Sequence, residues 1–147
     1  MKSFNVRVYG ILIQDNKVLV SDEQIKGMNI TKLPGGGLEY GEGTIECVIR
    51  EFKEELNLDI EVISHYYTTD FFVNSAFSTN NQVISIYYMV KAISKMDFIV
   101  ANKRFEFAKK IDGAQSMRWV DLAKISENDF TFIIDKRIGE MLNNSWK

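Results

Sequence analysis

The chain has 147 residues, of which 46% are hydrophobic and 26% charged, a composition typical of one ordinary globular domain. Its formal net charge of −2 provides no overall attraction for nucleic acid, so we expect no nucleic-acid partner. No stretch approaches the ~20 apolar residues that a membrane-spanning helix needs, so no membrane partner is expected either. The single cysteine, Cys47, excludes an internal disulfide and favours a cytoplasmic location.

The first third of the chain is predicted to contain two strands and then a loop. Residues 4–13 alternate enough to form a strand, and they lack the small-residue cleavage site of a signal peptide. Asp15-Asn16 predicts a turn into a second strand over residues 17–21. Residues 22–32 are predicted to be a loop that leads to a proline and three glycines.

The stretch GGLEYGEGTIECVIREFKEELNL, residues 36–58, combines a glycine turn with an acidic helix. If Thr44 to Leu56 is helical, Glu51, Glu54 and Glu55 lie at i, i+3 and i+4 and are neighbours on one face. Three carboxylates this close repel one another unless a multivalent cation lies among them. Oxygen-only ligation favours magnesium or manganese over zinc. Glycines also let backbone N–H groups approach a ligand closely, which suits a substrate made of phosphates.

The distribution of residues around this helix is also compatible with a metal site on its acidic face. An apolar stripe at helical spacing, which would bury against a sheet, is formed by Ile45, Val48, Ile49, Phe52 and Leu56. At about 100° per residue, the centre of the acidic cluster lies roughly 130° round from that stripe. We therefore expect the carboxylates to face water or a cleft.

These residues resemble the signature of the Nudix hydrolase family, G-x5-E-x7-R-E-U-x-E-E-x-G-U, where U is bulky and apolar. The resemblance runs from Gly36 through Glu42 and Arg50 to Leu58, and it matches eight of the nine fixed positions, including every charged one. The departure is Asn57, which stands in place of the last glycine of the box. Asparagine is the usual second choice for the left-handed residue that ends a helix, so the departure leaves the charged positions intact.

The resemblance implies an α/β fold, an α/β/α sandwich with a mixed β-sheet between helices, over a single Nudix hydrolase domain at residues 1–147. It also implies a pyrophosphohydrolase acting on phosphorus-containing acid anhydrides. The substrate would be a small-molecule nucleotide, a nucleoside diphosphate linked to another group, such as a nucleoside triphosphate or a nucleotide sugar. Many members of the family dimerise, so a homodimer is compatible with it.

The resemblance also implies roles for individual residues. The ligands of magnesium or manganese would be Gly35, through its carbonyl, and Glu51, Glu54 and Glu55. Substrate would contact Gly36 and Gly37. The catalytic group would comprise Glu51 and Glu54, with Arg50 and Glu42 bonded to each other to orient the helix. The general base would be either Glu51 or a glutamate outside the box.

The rest of the chain is predicted to hold three strands and a second helix. Ile60–Val73 and Val83–Ile93 are rich in β-branched and aromatic residues and are predicted to form a hairpin across a polar loop at 74–82. A short strand is predicted at 116–120 and a helix at about 130–142. In the charged stretch between, at 94–115, Glu106 and Asp112 are the candidates for an additional acidic residue at the site.

Two alternatives to a nucleotide pyrophosphatase remain open. A non-catalytic Nudix domain could bind a nucleotide metabolite as a sensor, although such domains usually lose box carboxylates that this chain retains. An mRNA-decapping role would need a basic RNA channel, which the overall charge does not suggest. Since Pro34 is the only proline, the downstream proline typical of ADP-ribose pyrophosphatases is missing.

Overall fold

The computed structural model of the protein describes residues 1–146. Its helices and strands, numbered in chain order, are β1 (Ser3–Gln14), β2 (Lys17–Ile25), β3 (Met28–Lys32), β4 (Gly35–Gly37), α1 (Thr44–Leu56), β5 (Ile60–Thr68), β6 (Asn74–Ser75), β7 (Ser78–Ala92), β8 (Gln115–Asp121) and α2 (Ile133–Trp146). The residues group into two compact units, residues 1–12 with 34–96, and residues 13–33 with 97 onward. The predicted α/β class is confirmed.

The sheet of the first unit is mixed, as predicted. Strands β1 and β7 pair in parallel from Ser3↔Asn81 to Leu12↔Val90. Strand β4 pairs antiparallel with β1, and β5 pairs antiparallel with β7. The glycine strand therefore lies directly beside β1.

Helix α1 has the bounds that the sequence predicts, and it packs on the sheet through Val48, Phe52 and Leu56. Gly10 of β1 makes room for this contact, because a Cβ there would lie 2.5 Å from the ring of Phe52. Full burial of a phenylalanine side chain contributes about 1.5–3 kcal/mol to stability. Asn57 ends the helix in the left-handed conformation at φ 51°, as expected for its place in the box.

The predicted apolar stripe of α1 is wrong in part, because the buried face is rotated. Ile45 and Ile49 are 47% and 38% exposed, whereas Cys47 is fully buried. The rotation carries Glu51 towards the sheet, so its side chain is only 14% exposed, while that of Glu54 is 60% exposed. Glu51 therefore faces β4, whereas Glu54 faces water, as expected. Gly36 explains the difference, since it has no side chain to exclude the carboxylate.

The hairpin of the first unit differs from the prediction at its polar loop. Strand β5 ends at Thr68, and β7 begins at Ser78, within the stretch 74–82 that was expected to be loop. The polar residues at the start of β7 find ladder partners on β1 and on the two-residue strand β6. Backbone pairing therefore extends the strand beyond its apolar segment.

In the second unit β2 pairs antiparallel with both β3 and β8. The turn at Asp15 and Asn16 is confirmed, with φ of 52° and 63°. The predicted loop at 22–32 is wrong, because β2 continues to Ile25 and returns as β3 after a turn at Lys26 and Gly27. Strands β2 and β3 carry polar residues at buried positions. These residues interrupt the alternation of apolar and polar residues on which a strand prediction depends.

The predicted strand at 116–120 is confirmed as β8, and the last helix begins at Ile133 rather than 130. A short 3-10 helix at Glu127–Asp129 precedes it, capped by the hydroxyl of Ser126, so the chain enters α2 later than the apolar pattern indicates. Neither helix within residues 1–146 has the length and apolar character required to span a membrane.

Candidate active site

The glycine strand β4 is held so tightly that only glycine fits at two of its positions. Gly35 has φ +149°, and a Cβ on it would collide with the backbone oxygen of Val8. A Cβ on Gly36 would lie 2.6 Å from the carboxyl group of Glu51. Strand β4 and helix α1 are therefore in contact through the carboxylate of Glu51.

Arg50 and Glu42 form the pair that the family resemblance implies. The guanidinium donates from Nε to Glu42 Oε2 at 2.9 Å and from Nη2 to Glu42 Oε1 at 2.6 Å, a bidentate arrangement. The backbone N–H of Glu39 also donates to Glu42 Oε1, at 2.9 Å. The Arg50 side chain and this backbone bond lower the pKa of Glu42 to about 2, and the same pairing raises the pKa of Arg50.

The same arginine also binds the acidic face of α1. Its Nη1 donates to Glu51 Oε1 at 2.9 Å and to Glu54 Oε2 at 3.2 Å. It lies 3.6 Å from a carboxylate oxygen of Glu39. We call Arg50 and its four carboxylate partners, Glu39, Glu42, Glu51 and Glu54, the Arg50 cluster. The guanidinium neutralises carboxylates that would otherwise repel one another.

Arg50 connects this cluster to β4 as well. Its Nη2 donates to the carbonyl oxygen of Gly37 at 3.1 Å, and the thiol of Cys47 donates to the same oxygen at 3.5 Å. Burial raises the pKa of Cys47 to about 12, and bonding to Glu42 adds to this. The thiol is thus neutral and acts as packing between α1 and β4. Sequence reasoning did not find this contact, although Cys47 lies one helical turn before Arg50.

The N-terminal end of α1 is anchored on both sides. Glu46 Oε1 accepts from the backbone N–H of Gly43 at 2.9 Å, which satisfies a donor at the start of the helix. The hydroxyl of Thr44 is 2.6 Å from that of Tyr88 on β7. These contacts fix the helix, and hence the carboxylates, against the sheet.

The acidic face consists of carboxylate oxygens on one helix turn, which is the type of donor that a hard divalent cation prefers. Glu51, Glu54 and Glu55 share this face, Glu51 seated in the space that Gly36 leaves. In the described residues, however, no group of three or more His, Cys, Asp or Glu side chains is arranged to hold a metal ion. Nη1 of Arg50 lies between Glu51 and Glu54 instead.

The two candidate acids outside the box belong to the second unit. Glu106 is exposed, and its Oε1 accepts from the backbone N–H of Asn102 at 3.4 Å. Asp112 Oδ1 accepts from the backbone N–H of Lys26 at 2.6 Å and so supports the β2–β3 turn. A role for either of them as general base stays a prediction.

A second cluster of charged residues, which sequence reasoning missed, lies in the second unit. Asp22 is fully buried and accepts from Arg118 Nε at 2.9 Å and Nη2 at 3.1 Å. It also accepts from the hydroxyl of Thr31 at 2.7 Å and from the backbone N–H of Phe105 at 3.1 Å. We call these four residues the Asp22 cluster. A buried aspartate gives no apolar period, so the sequence contained no signal for it.

Together, the fold and the site define a class, that of α/β domains in which a glycine strand packs against a helix with an acidic face. The chain belongs to the NUDIX domain family, whose pattern matches residues 4–138. The α/β fold with a mixed sheet is that of Nudix hydrolases.

Two solved structures share this fold, and one viral protein is similar in sequence. A NUDIX hydrolase from Nitrosomonas europaea has a TM-score of 0.69 at 20% identity, covering 97% of this chain and 90% of that one. A MutT NUDIX hydrolase from Burkholderia pseudomallei has a TM-score of 0.67 at 19% identity, covering 92% and 95%. A Variola virus mRNA-decapping protein is 29% identical in a match that covers 65% of this chain. The match spans 50% of the length of that viral relative.

Proposed function

We propose that this protein is a magnesium- or manganese-dependent hydrolase of a nucleoside diphosphate linked to another group. The observation that carries the proposal is the seating of Glu51 against Gly36, with Arg50 holding Glu42, Glu51 and Glu54 together. A carboxylate face packed onto this strand brings oxygen ligands for a hard cation next to Gly37, the partly exposed residue of the strand, which phosphate groups can approach.

The residues that would hold the metal are Glu51, Glu54 and Glu55, with the carbonyl of Gly35. When bound, the metal would polarise phosphate oxygens and lower the pKa of a bound water. The Glu42–Arg50 pair orients the helix, and Gly36 and Gly37 present their backbone to the substrate. Water attacks phosphorus, the P–O bond of the anhydride breaks, and the proton of the water passes to Glu51 or to an acid outside the box. The products are two phosphate-bearing molecules.

A release assay tests the proposal. The purified protein, with magnesium or manganese, is given nucleoside triphosphates, nucleotide sugars, ADP-ribose and dinucleotides. We expect turnover of one class, reduced about 100-fold or more in Glu54→Gln, because a metal supplies several kcal/mol of transition-state stabilisation. Glu61→Gln, which removes an exposed glutamate on β5, is the matched control and should retain activity.

Failure of every substrate class in that assay would overturn the hydrolase proposal. If nucleotides then raise the melting temperature without turnover, the protein is a nucleotide sensor instead. Retention of the box carboxylates Glu51, Glu54 and Glu55 favours the enzyme.

A second candidate function is hydrolysis of the mRNA cap, which the similarity to the Variola virus decapping protein favours. The cap is itself a nucleoside joined through phosphates to another group, here an RNA, so the same chemistry applies. Adding a short capped RNA and its free cap dinucleotide to the panel separates the two. Preference for capped RNA over nucleoside triphosphates would select this candidate, and the reverse preference would exclude it.

A cytoplasmic location and a homodimer also belong to this proposal. The single buried thiol, Cys47, is compatible with a reducing compartment. Light scattering after size exclusion would decide between monomer and dimer, and fractionation of cells that express the protein would test the location.

A further inference from the structure

Arg7 and Glu51 flank the glycine strand from opposite faces. Successive residues of a strand point to opposite sides of the sheet. A Cβ on Gly36 would lie 2.6 Å from the carboxyl group of Glu51, whereas a Cβ on Gly37 would lie 3.7 Å from Nη1 of Arg7. Arg7 is also in register with Gly37 in the β1–β4 ladder. A guanidinium group thus lies beside the glycine strand on the face that the carboxylates do not use.

The side chain of Arg7 is held in place by aromatic residues. Its Nε donates to the hydroxyl of Tyr9 at 2.6 Å, and its guanidinium carbon lies 5.7 Å from the centre of that ring. Tyr9 is only 6% exposed, and it stacks on Tyr87 at 5.2 Å between ring centres. An arginine fixed in this way loses less side-chain entropy when it binds a ligand.

Gly37 consequently lies between two guanidinium groups, with Arg50 bonded to its carbonyl and Arg7 beside its Cα. Guanidinium matches the geometry of phosphate oxygens in a bidentate manner. The contacts place Nη1 of Arg7 within about 13 Å of the Glu51 carboxyl group, measured through two consecutive Cα atoms. An extended nucleoside triphosphate is long enough to contact both.

We propose that Arg7 binds a phosphate group of the substrate other than the one that water attacks. The attacked phosphate is on the carboxylate face, so a group that contacts Arg7 across the strand must belong to another part of the phosphate chain. Since Arg7 and Glu51 are separated by up to about 13 Å, a chain of three or more phosphates would span them better than a chain of two, and Arg7 would favour the longer chain. This inference rests on the proposed function, because it uses the same glycine strand.

The test measures binding without hydrolysis. Inorganic tripolyphosphate is titrated into the metal-free protein, in EDTA, by isothermal calorimetry. We expect Arg7→Gln to weaken binding about tenfold or more, since it removes charge-assisted hydrogen bonds. Lys91→Gln removes one exposed positive charge from the same unit and should change the affinity less than twofold. Equal affinities for wild type and Arg7→Gln would overturn the proposal.

Two further measurements keep the test decisive. If Arg7→Gln does not fold, the Nε–H resonance of Arg7 is followed in the ¹⁵N-labelled wild type during the titration. We expect the resonance to shift and the shift to saturate with tripolyphosphate. The absence of a shift would overturn the proposal. If the wild type turns over nucleotides, the KM of Arg7→Gln should rise more for a triphosphate than for a nucleotide sugar. Turnover with an unchanged KM rejects Arg7 alone, whereas absence of turnover by the wild type rejects the proposed function.

Discussion

The two arginine–carboxylate clusters of this protein use the same chemistry in opposite ways. In the Asp22 cluster the aspartate is fully buried and accepts four hydrogen bonds, two of them from Arg118. In the Arg50 cluster one guanidinium is shared among several carboxylates, and the Glu54 side chain is 60% exposed. The Asp22 cluster is closed, because its aspartate is inaccessible to a ligand. The Arg50 cluster is exchangeable, because an exposed carboxylate such as Glu54 can leave the arginine and bind a ligand instead. A shared, partly exposed arginine is therefore the better indication of a ligand site.

The comparison is sharpened most by removing one carboxylate from each cluster. Asp22→Ala should lower the free energy of unfolding by about 3–5 kcal/mol, because it leaves the Arg118 charge buried without its partner. Glu54→Ala should lower it by no more than about 1 kcal/mol, as for an exposed ion pair. Urea denaturation of both variants measures the difference. Similar losses in the two variants would contradict the distinction between a closed and an exchangeable cluster.

The contact between Gly36 and Glu51 provides the next test. Gly36→Ala places a methyl group 2.6 Å from the Glu51 carboxyl group and should reduce turnover about 100-fold, because a displacement of about 1 Å at a catalytic group can cost that much. Ile45→Ala, which shortens an exposed side chain on the same helix, is the control and should retain activity. The kcat of both variants is measured, and their unfolding midpoints show whether each is folded. If Ile45→Ala is as inactive as Gly36→Ala, the contact with Glu51 is not the cause.

The pH dependence of stability should distinguish the Arg50 cluster further. The pKa of Glu42 is lowered from 4.5 to about 2, so its ion pair stabilises the fold fully above pH 4.5 and is lost as the pH falls towards 2. Glu42→Gln should therefore flatten the stability curve between these values. Unfolding midpoints in urea at pH 6, 4 and 3 measure this. An equally steep curve for the variant would assign the acid sensitivity to other groups.

The smallest effect concerns the thiol between α1 and β4. With its pKa raised to about 12 and its side chain buried, Cys47 should react very slowly with an aromatic disulfide reagent at pH 8. The unfolded protein in urea is the control and should react at once. Rapid labelling of the folded protein would mean that the Arg50 cluster opens readily from β4.

The sequence was most informative where local periodicity and a motif agreed. The bounds of α1 and the left-handed Asn57 follow from the apolar spacing and the box, and both are confirmed. The rotation of the helix could not be read, because Ile45 and Ile49 are as apolar as the residues that are buried. The rotation depends on Gly10 and Gly36, which lie on strands β1 and β4 and leave room for side chains of the helix.

The second unit was the least predictable, again for a physical reason. Strand β3 and the extension of β2 contain Asp22 and Thr31 at buried positions, where a pattern-based prediction expects apolar residues. Asp22 is stabilised by a partner distant in sequence, Arg118, and the backbone N–H of Thr31 by the hydroxyl of Thr131. A pairing of this kind between residues far apart in the chain has no signature in local composition.

The contact between Gly10 and Phe52 has a consequence for how the site could change. Because Gly10 has no methyl group, Phe52 can approach the sheet closely, and this determines the distance between α1 and the sheet. The same distance determines how close the carboxylates of α1 lie to β4. An apolar position outside the box therefore adjusts the spacing of the acidic face. A larger residue in place of Gly10 would therefore shift α1 and its acidic face with every charged residue unchanged.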